Sequence, residues 1–382
     1  MIYLDNNATT PVDPAAVEAM LPFLREHFAN ASSGYAAAKP VRRAFDLARG
    51  QTAALLGCGE EEVIFTGGGS ESDNAAIHSA LHLLPNRRHI VTCSSEHDAV
   101  LRPCATLKKQ GCEITRLAPR LDGSLDMESL AAAIRPGQTA LVTLMWANNE
   151  TGVTFPVQQA AALAENAGAF FHTDAVAAGG KVPIKLAGGA IHYLSLSGHK
   201  FHAPKGVGVL YVNKRVAFQP WLLGGGQENN RRAGTENIAG IVAVGAAAEA
   251  ARGHLEGGHD KTAALRDFFE SELQRRLSGV HINTGSAPRV PNTSSLRIEG
   301  TEAAAMMILL DRDGICVSAG SACHTGSNHI SHVLAAMGLG RTEAVQSLRV
   351  SLSRFTTKAE IETALVSFVR AAEKVRSLLP PG

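Results

Sequence analysis

Residues 63–77 read VIFTGGGSESDNAAI. An apolar, β-branched run stops at three glycines, Ser70 follows, and acidic residues open what reads as a helix. This is a strand–turn–helix unit of the kind that builds α/β crossovers. The glycines let the backbone approach a bound group, and the N–H groups of the first helical turn point at it with the positive end of the helix dipole. The segment is neither a GxGxxG fingerprint nor a Walker loop, because no lysine follows the glycines. Alone it reads either as an anion cradle or as an ordinary glycine-rich turn.

The same alternation runs outward from this unit. EVIFT (62–66), HIVTC (89–93), TALVTLMW (139–146), AFFHTD (169–174), IHYLSLS (191–197) and VGVLYV (207–212) read as strands. The stretches 71–84, 98–110, 126–134 and 156–167 between them read as helices. Strand and helix in turn predict a mostly parallel sheet flanked by helices, an α/β fold. After an alanine-rich helix near 238–252 and a charged stretch over 253–276, NTSSLRI (292–298), ICVSA (315–319) and SLRVSLS (347–353) alternate with helical segments up to a helix near 357–378. The expected division is a large domain over 13–253 and a smaller α/β domain formed by 1–12 and 254–382.

Composition narrows the function classes. The 382 residues carry 36 basic and 35 acidic side chains, spread without a basic stripe, which argues against nucleic acid or an anionic membrane as partner. Six cysteines without a Cys-x-x-Cys pair predict mostly buried thiols in a reducing cytoplasm. No signal peptide and no run of about 18 apolar residues is visible, so a soluble protein is expected.

Three strand ends carry chemistry. SLSGHKFHAPKGVGVLYV (195–212) sets Lys200 between a polar Ser-Gly-His run and a glycine-rich return into a strand. A lysine held there can form an imine with an aldehyde, although many lysines beside glycines sit in solvated turns. Asp174 closes the strand AFFHTD at the edge where open α/β sheets bind ligands, reading as the partner of a protonated heterocyclic nitrogen or as a helix N-cap. Cradle, carboxylate and imine-forming lysine together describe a pyridoxal phosphate site.

At this point the chain resembles the cysteine desulfurases, pyridoxal phosphate enzymes of the class V aminotransferase group, and is most similar to the nitrogen-fixation-type branch. The resemblance spans the chain through YLDNNATTPVDP, FTGGGSESDNAAI, SSEHDAVL, MWANNETG, FHTDAV, SGHKFHAPKGVGVLY, RRAGTEN, AGSAC and SLRVSLSRFTT. It implies pyridoxal phosphate transferase fold type I and conversion of L-cysteine to L-alanine. Lys200 matches the lysine that holds the cofactor as an imine and shuttles protons, Asp174 the aspartate on the ring nitrogen, and His97 the histidine stacked on the ring. Gly69, Ser70, Ser197 and His199 match phosphate ligands. Thr235 matches one donated by the other subunit, which implies a homodimer. Asn149 matches the asparagine beside the ring hydroxyl and substrate, and Arg349 the arginine that takes the substrate carboxylate. Cys323 matches the thiol that takes the sulfur as a persulfide for a sulfur-accepting protein, an iron–sulfur scaffold being the candidate. No metal is implied.

Three departures from the family pattern bear on this reading. Ala177 stands where a glutamine usually donates to the ring hydroxyl. NASSGYAAA, from residue 30, lacks the usual proline and histidine. Behind Cys323 the loop carries His324, Thr325, Asn328, His329, Ile330 and Ser331 in place of the customary residues. The rival readings are a selenocysteine lyase, a class V aminotransferase, or a non-catalytic metal-binding or sulfur-carrier protein that uses Cys323 with His324, His329 and His332.

Overall fold

The protein is described by a computed structural model over residues 1–257, 259–319 and 330–378. Its strands are β1 (Ile2–Tyr3), β2 (Val63–Thr66), β3 (His89–Cys93), β4 (Glu113–Leu117), β5 (Thr139–Thr143), β6 (Phe170–Asp174), β7 (Tyr193–Ser197), β8 (Gly208–Val212), β9 (Val280–Ile282), β10 (Thr293–Ile298), β11 (Ile315–Cys316) and β12 (Ser347–Ser351). The helices are α1 (Pro14–Arg25), α2 (Ala38–Leu56), α3 (Gly69–Leu83), α4 (Asp98–Lys109), α5 (Met127–Ala133), α6 (Val157–Asn166), α7 (Gln227–Asn230), α8 (Ile238–Gly257), α9 (His259–Arg276), α10 (Ala303–Arg312), α11 (His332–Ala336), α12 (Arg341–Val345) and α13 (Lys358–Leu378).

The central sheet has the order β2-β8-β7-β6-β5-β3-β4, with β8 antiparallel to both neighbours and the remaining pairs parallel. This is the mostly parallel α/β sheet that the sequence predicts. All residues of β3, β5 and β7 are buried, as strands must be when helices cover both faces of a sheet. A glycine at 208 lets β8 start directly under the glycine-rich loop. A Cβ there would lie 2.6 Å from the Gly68 backbone, closer than real contacts allow. The carboxyl ends of β6 and β7 and the amino end of α3 thereby converge on one side of the sheet, where α/β folds place ligands.

A second core gathers Leu4, Phe269, Leu296, Leu348 and Phe368 beneath the antiparallel sheet β12-β10-β9. The N-terminal strand belongs to this side, since β1 pairs in parallel with β11. Asp13 then ties the start of α1 back to Arg354 through a partly buried ion pair. On these two cores we propose the division into 13–253 and 1–12 with 254–382.

The differences from the expected elements have physical causes. The charged stretch carries two helices: α8 runs to Gly257, and α9, from His259, turns Phe269 and Leu273 inward while Glu272 pairs with Arg275 and Arg276 on its outside. Helices α1 and α2 precede the first strand of the large sheet, and the second of them buries Val41, Phe45, Ala48, Leu55 and Leu56 at helical spacing. Strand β5 ends at Thr143 and β11 at Cys316, short of the runs read from sequence. Of the five described cysteines, Cys93, Cys104 and Cys112 are buried, while Cys58 and Cys316 are only half-buried and fall short of the expected core placement. No helix of the described residues is long and apolar enough to cross a membrane.

Candidate active site

A cavity of about 300 Å³ opens where the two cores meet, lined by residues from the amino end of α3, the β3–α4 turn, the ends of β6 and β7, and β12. The structure brings Gly69, Ser70, His97, Asn149, Asp174, Ser197, His199, Lys200 and Arg349 to its wall. Thr235 is not among them; it lines a separate cavity of about 120 Å³ with Gly67, Arg232 and Gly234. Cys323, with His324, Thr325, Asn328 and His329, lies outside the described residues.

Lys200 sits in the short turn Gly198–Lys200 that ends β7. Its Nζ donates to the carbonyls of Asn7 at 2.5 Å and Ala8 at 2.9 Å, so the N-terminal segment fixes where the amine points. The neighbouring His199 ring bonds Thr9 Oγ1 at 3.1 Å, and its pKa falls to about 4 because burial disfavours the cation and Lys200, Lys205 and Lys181 add like charge. His199 therefore meets the cavity as a neutral ring.

Across the cavity, Asp174 is 6% exposed and accepts from the Val176 backbone N–H at 2.9 Å. Burial, then the charge of Asp73, pushes its pKa up to about 6, while His97 pulls the other way. A carboxylate so placed lacks a cation and would hold a protonated ring nitrogen. His97 caps α4, accepting the Ala99 N–H on Nδ1 at 3.1 Å, which leaves its proton on Nε2 in the neutral tautomer.

The phosphate cradle is tested by what glycine permits. A Cβ on Gly69 would meet Val176 Cγ2 at 2.7 Å, so an ordinary residue would intrude on the space between α3 and the end of β6. Ser70 and Ser197 add hydroxyls at this end of the cavity, where the first-turn N–H groups of α3 favour an anion.

Arg349 is 2% exposed. One terminal nitrogen bonds Asp5 Oδ1 at 2.7 Å and the other the Asn149 carbonyl at 3.1 Å, while its buried Nε has no hydrogen-bond partner. Arg349 lines the cavity, and a guanidinium on the wall offers a ligand carboxylate its charge and forked donors. Amine, carboxylate, anion cradle and guanidinium fit pyridoxal phosphate together with an amino acid.

Among the wall residues not singled out from the sequence are Asp73, Lys181, Glu150 and Asn7. Lys181 Nζ donates to the Ala177 carbonyl at 3.0 Å, and burial with the charges of Lys200 and Arg349 brings its pKa down to about 7. The spacing of Asp73 three residues after Ser70 on one helix was the available signal. His332, read as a candidate metal ligand, is engaged at 2.9 Å with the Glu96 carbonyl, and no metal-ligating cluster occurs among the described residues.

The profile of the family Aminotransferase class-V matches residues 2–364. A cysteine desulfurase of Nostoc sp. is 46% identical over 380 residues, covering 100% of this chain and 95% of that protein. The cysteine desulfurase NifS of Azotobacter vinelandii is 44% identical over 380 residues, covering 99% and 94%. Among solved structures, a NifS-like protein superposes with a TM-score of 0.90 at 33% identity, covering 99% of this chain and 100% of that one. A structure of SspA in complex with cysteine gives 0.82 at 34% identity, covering 94% and 100%.

Proposed function

The chain belongs to the class-V aminotransferase family and, within it, to the pyridoxal phosphate-dependent cysteine desulfurases, and from that premise we propose how its own residues divide the work on L-cysteine. The observation that carries the assignment is Arg349, a buried guanidinium that lines the same cavity as Lys200 and Asp174. An α-carboxylate held there sets the α-carbon of an amino acid within the space those two residues face.

When bound, pyridoxal phosphate supplies an electron sink that makes the bonds at the substrate α-carbon labile. Gly69, Ser70, Ser197 and His199 would hold its phosphate, Asp174 its ring nitrogen and His97 one face of its ring. Asn149, on the cavity wall, would meet the ring hydroxyl and the substrate. Lys200 would hold the cofactor through its amine and would carry a proton to and from the substrate α-carbon. Thr235, which lines a separate cavity of its own chain, would reach the phosphate of the partner subunit in a homodimer.

Cys323 attacks the substrate sulfur as a thiolate. The carbon–sulfur bond breaks, a sulfur–sulfur bond forms on the protein, and protons return to the carbon skeleton, so that L-cysteine and the Cys323 thiol give L-alanine and a Cys323 persulfide. A sulfur-accepting protein, with an iron–sulfur scaffold as the candidate, then takes the sulfur in the reducing cytoplasm.

The test is spectroscopic. Wild-type protein reconstituted with pyridoxal phosphate should show the near-ultraviolet to visible band of an imine-bound cofactor and form alanine from L-cysteine, while Lys200→Ala should lose the band. A wild-type protein that takes up no cofactor would overturn the reading.

A further inference from the structure

Arg349 and Lys200 come from places far apart in the chain, β12 and the turn after β7, and one buried residue of the N-terminal segment ties them together. Asn7 is 3% exposed and stands on the cavity wall. Its backbone N–H donates to Ser351 Oγ at 2.9 Å, and its carbonyl accepts from Lys200 Nζ. Its side chain donates through Nδ2 to the Asn149 carbonyl at 3.0 Å and to Thr293 Oγ1 at 2.8 Å, and accepts on Oδ1 from Asn292 Nδ2 at 3.0 Å. Every polar group of Asn7 is thus engaged.

The partners fix which way this amide points. The Asn149 carbonyl can only accept, so the nitrogen must face it. Asn292 Nδ2 also donates to the Leu352 carbonyl at 3.1 Å, so it meets Asn7 as a donor and requires the oxygen there. The Asn149 carbonyl takes Arg349 as its second donor at 3.1 Å, and a carbonyl oxygen has two lone pairs for the two of them. The turn that carries Asn149 is closed by the Gly152 N–H on the Asn148 carbonyl at 2.9 Å, and a Cβ on Gly152 would come to 2.7 Å from Thr293 Cβ. The turn therefore packs on the same strand that braces Asn7. Asp5, two residues earlier, takes the other terminal nitrogen of Arg349 at 2.7 Å, and the Ala8 carbonyl takes Lys200 Nζ at 2.9 Å. Residues 5–8 hold Arg349 at one end and Lys200 at the other.

We infer that Asn7 is a positioning residue for the reaction: its amide sets the Asn149 carbonyl against which Arg349 is braced, and its own carbonyl takes the Lys200 amine. The group that receives the substrate carboxylate and the group that works at the α-carbon thereby keep one spacing. This rests on the proposed roles of Arg349 and Lys200. Removing the amide leaves the Asn149 carbonyl to Arg349 alone and takes a partner from Thr293 Oγ1 and from Asn292 Nδ2, so the turn and the N-terminal segment lose their common register. A binding group displaced by about 1 Å costs up to about a hundredfold. Because Asn7 acts through the fork of Arg349, its effect on a bound carboxylate must shrink once that fork is gone.

The experiment is a double-mutant cycle on cofactor-loaded protein, with the dissociation constant of L-alanine read from the visible band. L-Alanine carries the amine and the carboxylate without a thiol. Asn7→Ala should weaken it about tenfold in the wild-type background and less than about threefold in the Arg349→Lys background. An equal loss in both backgrounds, the mark of a general structural defect, would overturn the inference, and so would no loss in either. Thr293→Val keeps the residue's shape and removes the hydroxyl that braces the Asn7 amide. It should weaken L-alanine about threefold in the wild-type background and not at all beside Arg349→Lys, and equal losses there refute the inference even where Asn7→Ala does not fold. The Lys200 contact is read on cofactor-free protein by acetylation with acetic anhydride, the Lys200 peptide being quantified by mass spectrometry against the exposed Lys185. Asn7→Ala should raise the relative rate at Lys200 at least about threefold; an unchanged ratio would refute that half of the inference. Failure of wild type to take up cofactor would instead remove the function on which the inference rests.

Discussion

Replacing Arg349 by lysine removes the fork and keeps the charge. In the structure the guanidinium spends one terminal nitrogen on Asp5 and the other on the Asn149 carbonyl, while its buried Nε has no hydrogen-bond partner. An ammonium can keep the Asp5 contact but cannot also present a side-on pair of donors to a carboxylate. The loss is one charge-assisted hydrogen bond, about 1.5–3 kcal/mol, which converts to about 10- to 140-fold in kcat/KM at 1.4 kcal/mol per decade. The assay is steady-state alanine formation from L-cysteine, with the visible band and thermal melting followed in parallel. The band and the melting temperature should stay close to wild type, because Arg349 meets substrate and not cofactor, and the charge beside Asp5 persists. A kcat/KM within threefold of wild type would refute the carboxylate role, and so would a loss that tracks cofactor release alone.

Two further substitutions probe the cofactor end. Gly69→Ala forces a Cβ to within 2.7 Å of Val176 Cγ2, an overpacking of about 1–3 kcal/mol that should raise the dissociation constant of pyridoxal phosphate about tenfold in a fluorescence titration; unchanged affinity would show that the cradle lies elsewhere. His97→Ala removes both a ring and the Nδ1 cap on α4, lowering denaturant-unfolding stability by about 1 kcal/mol and shifting the cofactor band. His97→Asn, which can cap, should restore the stability without the spectrum, and recovery of both would dismiss stacking.

Much of the fold was legible because local signals agreed. In 63–83 an apolar run, glycines and an alanine-bearing helix follow one another, and the structure sets β2 and α3 there. The edge strand β4, EITRL, was missed because three of its five side chains are charged or polar and most are not buried, so it shows no apolar run. Helix α2 carried its helical spacing openly in Val41, Phe45, Ala48 and Leu55, yet its arginines and interior glycine mask the pattern. In the site, residues at strand ends and after glycines stood out, since such places join chemistry to exposure of the backbone. Asp73 and Glu96 did not, because a single acid inside a helix or turn reads as a solvated face until the sheet strands close over it. Asp73 meets His172, whose ring also bonds Ser195, both distant from it in sequence and brought near only by the folded sheet.

The central claim is that sulfur leaves L-cysteine at the cavity of Lys200 and Arg349 and arrives on Cys323. The measurement is a single-turnover incubation of cofactor-loaded protein with L-cysteine and no reductant, followed by peptide mass spectrometry and alanine quantitation. The account predicts one added sulfur atom on the peptide that contains Cys323, with an equal amount of alanine, and neither product from Lys200→Ala. Alanine without added sulfur on Cys323, or sulfur retained instead on Cys58 or Cys316, would contradict it.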